Sequence, residues 1–179
     1  MSQRMSKLLI TSSIALLSFQ AHALDSMTRN GNLIAMGLPA FAAGMSFLND
    51  DTEGVVQLIK SEAVTLGIVE VLKSSTHQMR PDGSDNKSFP SGHAAVAFSA
   101  AQYMQMKGGW EYGAPAYLAA SYVAYARVDA RKHHWRDVAA GAGTGMLTTY
   151  YFTDANSDRR LGMSWTGRSA SLLYQQPLK

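Results

Sequence analysis

The chain has 179 residues, enough for one domain with a core of ordinary size. With 46% hydrophobic and 16% charged residues it is apolar for a soluble domain yet mild for a polytopic membrane protein. Sixteen basic against 13 acidic residues, and no cysteine, exclude disulfides and give no general case for nucleic acid as a partner.

The first element is a targeting segment. Arg4 and Lys7 make a basic start, Leu8 to Phe19 an apolar run of 12, and Ala21-His22-Ala23 a small-x-small cleavage site. Residues 1–23 are therefore expected to be a signal peptide, with export to a bacterial periplasm. A run of 12 falls short of the ~20 residues that span a bilayer. Removing the segment leaves 14 basic against 13 acidic residues, and the remaining basic groups gather at Arg127, Arg131, Lys132 and Arg136.

Residues 24–179 are expected to form a single domain. A helix is predicted from about Leu33 to Leu48, kinked or restarted at Pro39. Asn49-Asp50-Asp51-Thr52-Glu53 breaks it and starts another, whose apolar residues from Val55 to Leu72 follow helical spacing up to Lys73. Residues 74–90 are rich in Ser, Pro, Asp, Gly and Asn and must be a loop. Ser91 and Gly92 can cap a helix running to about Met106, stopped by Lys107-Gly108-Gly109. Two more apolar stretches follow, Tyr112 to Ala126 and Asp137 to Phe152, the latter with Gly141, Gly143 and Gly145 for close helix contact. The tail from about Arg160 suits short strands or irregular packing. The uncharged runs are 30–49, 112–126 and 138–152, and only the first reaches spanning length. A compact domain at or near a membrane surface accounts for these lengths better than full insertion does.

Three motifs carry chemistry: Lys73-x6-Arg80-Pro81, Pro90-Ser91-Gly92-His93, and Arg127-x5-His133-x3-Asp137. Four residues along a helix return to one face, so Asp137 is expected to reach the ring of His133. A carboxylate there would fix the tautomer and stabilise the imidazolium that forms during attack. Arg127 can turn a planar fork onto phosphate oxygens, and Lys73 and Arg80 can converge on the same anion. Gly92 allows close backbone approach at a helix start that attracts anions, and His93 beside it can protonate a departing alkoxide. Each motif alone has an ordinary explanation as a basic turn, a helix cap or a solvated helix end. Their ordered combination points to phosphoryl transfer. His133-His134 with Asp137 offers too few ligands for zinc, so no metal and no cofactor are expected; His77 is expected to be solvated.

The ordered set resembles the type 2 phosphatidic acid phosphatase superfamily, which includes bacterial acid phosphatases and vanadium-dependent haloperoxidases. The likeness covers about residues 55–152. It implies an all-α helical bundle of about five core helices with a short irregular or β-like C-terminal tail. It also implies Lys73, Arg80 and Arg127 on the phosphoryl oxygens, helped by Ser91 and the Gly92 amide. His133 would be the nucleophile, through a phosphohistidine, with Asp137 as its orienting partner and His93 as general acid. Ala126 stands where the family often has serine. Apolar helices and Phe89-Pro90-Ser91-Gly92-His93-Ala94-Ala95 are similar to the lipid-phosphatase branch, which makes a phosphorylated lipid the expected partner. Undecaprenyl diphosphate, phosphatidylglycerol phosphate, phosphatidic acid and lipid A phosphate all fit. The alternatives are a soluble broad-specificity periplasmic acid phosphatase and a non-catalytic phosphate-binding, membrane-associated protein.

Overall fold

The computed structural model describes the backbone of residues 3–155, 160–165 and 170–175, and the side chains of residues 26–155. Five helices follow one another: α1 (Gln3–Leu48), α2 (Thr52–Thr76), α3 (Gly92–Gly108), α4 (Trp110–Asp129) and α5 (Trp135–Phe152). They make the expected all-α bundle. In the tail, β1 (Arg160–Trp165) pairs antiparallel with β2 (Ala170–Gln175), in a register that sets Arg160 opposite Gln175. α1 is longer than predicted. It runs through Pro39 and takes in both the expected signal segment and the first predicted helix. Its Ser26–Leu48 portion, 23 residues at mean hydropathy 1.4, is long and apolar enough to cross a membrane.

Helix ends fall where polar side chains can serve the first free amides. Asp51 Oδ1 accepts from the Gly54 amide at 2.9 Å and starts α2, and Ser91 Oγ accepts from the Ala94 amide at 3.4 Å and starts α3.

α3 is the central helix and packs against all four others. Its Ala94, Ala95, Ala97, Ala100 and Ala101 are fully buried, and such small side chains let the surrounding backbones come close. The main core adds Ala35, Ala42 and Met45 of α1, Leu58 of α2 and Ala116, Ala120 and Val123 of α4. α5 lies close against α3 at Gly145, where an added Cβ would collide with the Ala95 carbonyl oxygen, and at Gly141, where it would collide with the Ser91 carbonyl oxygen. That contact fixes the start of α5 against the start of α3. The C-termini of α2 and α4 meet the same two helix starts, so all three motifs come together at one end of the bundle.

Candidate active site

Lys73 lies in the last turn of α2, where a cation faces the helix's negative end. The helix closes at His77, whose left-handed φ of 46° turns the chain into the loop, and whose imidazole is exposed. Gly92 opens α3 directly opposite: a Cβ added to it would sit 3.6 Å from Lys73 Nζ. The ammonium and the first amides of α3 therefore border one small space.

Arg80 is held by its own loop. Its amide donates to the Asp85 carbonyl at 2.9 Å, and its Nε donates to Asp85 Oδ1 at 2.6 Å. A second pair of contacts ties this loop to the α4–α5 connection. The Asp82 amide donates to the Arg131 carbonyl at 3.0 Å, and Lys132 Nζ donates to Asp82 Oδ2 at 2.5 Å. These contacts draw Arg80 towards Arg127 at the end of α4. Arg127 itself is only 6% exposed, and its Nη1 donates to Asn32 Oδ1 of α1 at 3.0 Å.

His133 is 2% exposed, and its Nδ1 lies 2.6 Å from the Ser88 carbonyl oxygen. A carbonyl can only accept, so Nδ1 carries the proton and Nε2 keeps its lone pair. The tautomer is the one that nucleophilic attack needs. Its partner is not the expected one. Asp137 Oδ2 accepts instead from Ser88 Oγ at 2.6 Å and from the His134 amide at 2.8 Å. The expectation that Asp137 orients the His133 ring assumed that both residues are helical. α5 begins at Trp135 with His134 as its cap, so His133 precedes the helix and the four-residue rule does not apply to it. Asp137 acts one step further out: it holds Ser88, and Ser88 holds His133.

Asp137 also accepts, through its backbone carbonyl, the Ser91 amide at 2.9 Å. Ser91 is fully buried, with its oxygen committed to capping α3, so its contribution is to shape the Pro-Ser-Gly-His turn, in which the Phe89–Pro90 peptide is cis.

Burial pushes His93 down to about 4, and the charges of Arg127, Lys73 and Arg80 push the same way. Burial likewise takes His133 down to about 4, with Arg127, Arg80 and Lys73 contributing and the bond to Ser88 opposing. Both rings thus feel the charges of the same three cations. Both are neutral at pH 7. Burial also lowers Lys73, helped by Arg80 and opposed by Glu70. Among the described residues no group of three or more His, Asp and Glu is gathered as metal ligands would be.

Ser88 and Asn32 were missing from the expected site. Ser88 acts through a backbone carbonyl, which no residue type announces. Asn32 lies in a long apolar run and could be noticed only as a polar interruption of it.

Residues 54–161 match the PAP2 superfamily. The chain is 36% identical over 85 residues to a lipid A 1-phosphatase of Porphyromonas gingivalis, an overlap of 45% of this chain but 19% of that one. It is 30% identical over 134 residues to a lipid A 4'-phosphatase of Helicobacter pylori, covering 69% of this chain and 68% of the relative. The chain thus spans about a fifth of the first relative's length and two thirds of the second's. Its fold is similar to the crystal structure of Aquifex aeolicus LpxE, with a TM-score of 0.64 at 24% identity, over 73% of this chain and 84% of that one.

Proposed function

The chain belongs to the PAP2 superfamily, and on that premise we propose that it is a metal-independent phosphatase acting on a lipid phosphate, lipid A phosphate being the first candidate. The observation that carries this reading is the position of the buried His133: its Nδ1 is occupied by Ser88, its Nε2 lone pair is free, and the charges of Arg127, Arg80 and Lys73 act on it.

In the proposed reaction the three cations and the Gly92 amide hold the phosphoryl oxygens and stabilise the charge that develops there. His133 Nε2 attacks phosphorus, a P–N bond forms, and the P–O bond to the lipid alcohol breaks. His93 gives its proton to the departing oxygen. A water then attacks the phosphohistidine, loses a proton to the now neutral His93, and releases inorganic phosphate with His133 restored. The cations do the charge neutralisation that a metal would do elsewhere.

His93 must be protonated for the first step although burial and the three cations keep it neutral. A bound phosphate dianion offsets the three cations that hold His93 down and so raises its pKa. The substrate thereby recruits its own acid. Two roles follow: cations bind, and the two imidazoles do chemistry. A phosphate-binding protein without turnover would need the cations and amides alone.

The lipid part rests on the two lipid A phosphatase relatives and on Ser26–Leu48, an apolar helix that suits association with a membrane. Export of the chain, with the site on the periplasmic side, follows from the basic and apolar start of the sequence.

The test is phosphate release from detergent-dispersed lipid A, with a small aryl phosphate as comparison. Turnover that survives a chelator, falls with vanadate and vanishes in His133→Ala supports the reading. Loss of activity in chelator with recovery on adding zinc would overturn it. Equal kcat/KM on the aryl phosphate and the lipid would favour a broad-specificity acid phosphatase.

A further inference from the structure

The active-site arginine is held by a residue from outside the matched family region. Asn32 belongs to α1, whereas the match to the family begins at residue 54. Its Oδ1 accepts from Arg127 Nη1 at 3.0 Å across 95 positions of sequence. The approach of the two helices is built for this contact. Gly31, next to Asn32, is buried, and a Cβ added to it would lie 3.1 Å from Ala126 Cβ, next to Arg127.

We propose that Asn32 is a positioning residue for phosphate recognition, holding the Arg127 guanidinium by Nη1 so that its Nε–Nη2 edge is presented to the phosphate. This inference rests on the phosphatase reading above. A guanidinium binds an oxyanion best through two parallel N–H groups on one edge. Nη1 lies on the side of the group away from the Nε–Nη2 edge, so a partner on Nη1 leaves that edge whole. Arg127 Nε is buried and has no hydrogen-bond acceptor among the described residues. A phosphate oxygen would supply the missing acceptor, since a buried unsatisfied donor is costly.

The chemistry of residue 32 matters as much as its position. An amide oxygen accepts from arginine without adding negative charge. A carboxylate in the same place would be a permanent anion on Arg127 and would compete with the phosphate for the same cation. Asn32 fits the first requirement and avoids the second. The proposal makes α1 part of the active site: the helix that suits membrane association also sets the angle of a phosphate-binding arginine.

The experiment uses the full chain in detergent micelles, with Asn32→Asp and Asn32→Ala. Three quantities are measured: the Kd for orthovanadate by calorimetry, the kcat and KM for phosphate release, and the Tm. Asn32→Asp keeps the acceptor and the shape, so it should keep the Tm while binding vanadate at least about 10-fold more weakly, with KM raised in step. Asn32→Ala frees the fork and should lower kcat/KM by about 10-fold. A purely structural role predicts the opposite ranking, with Asp rescuing what Ala loses. Wild-type vanadate affinity in Asn32→Asp, or losses in both variants that follow a fall in Tm alone, would overturn the inference while leaving the phosphatase reading intact. A wild-type protein that binds vanadate but releases no phosphate would overturn the phosphatase reading, and the vanadate affinities would still decide the role of Asn32.

Discussion

Ser88 and His133 are joined by a single bond, the carbonyl oxygen of one lying 2.6 Å from Nδ1 of the other. The residue expected in that role, Asp137, reaches His133 only through Ser88, whose hydroxyl donates to the Asp137 carboxylate at 2.6 Å. The His133 ring is thus oriented by a neutral backbone acceptor that is itself anchored by a buried charge. The difference is measurable, because a carboxylate in contact with imidazole raises its pKa and a carbonyl does so much less.

Replacing Asp137 by Asn should therefore leave the His133 pKa almost where it is, moving by less than about half a unit. Stability and rate should suffer instead. The carboxylate accepts from both Ser88 Oγ and the His134 amide, and hydrogen bonds to charged groups contribute about 1.5–3 kcal/mol each. A lower Tm and a reduced kcat with an unshifted His133 resonance in an NMR titration is the expected pattern. A large drop in the His133 pKa would restore Asp137 to direct contact.

Arg127→Lys should not behave as a conservative change. The arginine uses Nη1 on Asn32 and, in the proposed site, would offer its remaining edge to the substrate, whereas lysine has one point of charge for both tasks. A fall of at least ~10-fold in kcat/KM is expected, equivalent to ~1.4 kcal/mol of transition-state stabilisation. Steady-state kinetics on any accepted phosphate ester will measure it. Wild-type kinetics would place Arg127 away from the phosphate.

The sequence made the bundle legible because its helix ends are marked by chemistry: Asp51 caps α2 and Ser91 caps α3, both through side-chain oxygens. Gathering the three motifs at one end required only that α2 and α4 end where α3 and α5 begin. What stayed hidden was carried by groups without a residue signature. The Ser88 carbonyl is one, and Asn32, distant in sequence from everything it serves, is another. The assignment of Asp137 to His133 failed for a local reason, since α5 begins at Trp135 and leaves His133 outside the helix, which removes the face that the argument used. Boundaries of that kind are set by capping, and here Asp137 itself helps to set the boundary by accepting the His134 amide.

The two histidines should fail in different ways. His133→Ala removes the proposed nucleophile and should abolish phosphoenzyme with every substrate. His93→Ala should cripple release of an alkyl alcohol but spare an activated aryl ester, whose leaving group departs with little help. His93 is held down to about 4 by burial and by Arg127, Lys73 and Arg80. Because bound phosphate offsets those cations, the alkaline limb of kcat should lie at higher pH than the alkaline limb of kcat/KM. Rapid-quench detection of phosphoenzyme and paired pH profiles test both points. Phosphoenzyme in His133→Ala but not in His93→Ala would exchange the two assignments.

Stability should depend on pH through a group outside the site. Burial on α2 raises Glu62 to about 7 from its ordinary value of 4.5, and Ser99 of α3 opposes the shift. Unfolded Glu62 ionises near 4.5 while the folded form holds its proton to about 7, so its contribution to stability falls as pH rises across that window. His93 and His133 act in the opposite sense. Their folded values near 4 lie below the unfolded 6.5, so the unfolded chain binds the extra protons and stability falls as pH drops from 6.5 towards 4. Each proton contributes a slope of at most ~1.4 kcal/mol per pH unit, reduced where water screens the group. Two histidines outweigh one glutamate below about 6.5, so stability should climb through mild acid at roughly the slope of one proton and then decline towards 7. Glu62→Gln removes the opposing group. Its stability curve should climb more steeply up to 6.5 and lose the decline above it, leaving the variant more stable than the wild type at pH 8. Chemical denaturation of both proteins at half-unit steps between pH 4 and pH 8 measures this directly. Parallel curves would mean that Glu62 ionises alike in the folded and unfolded chain.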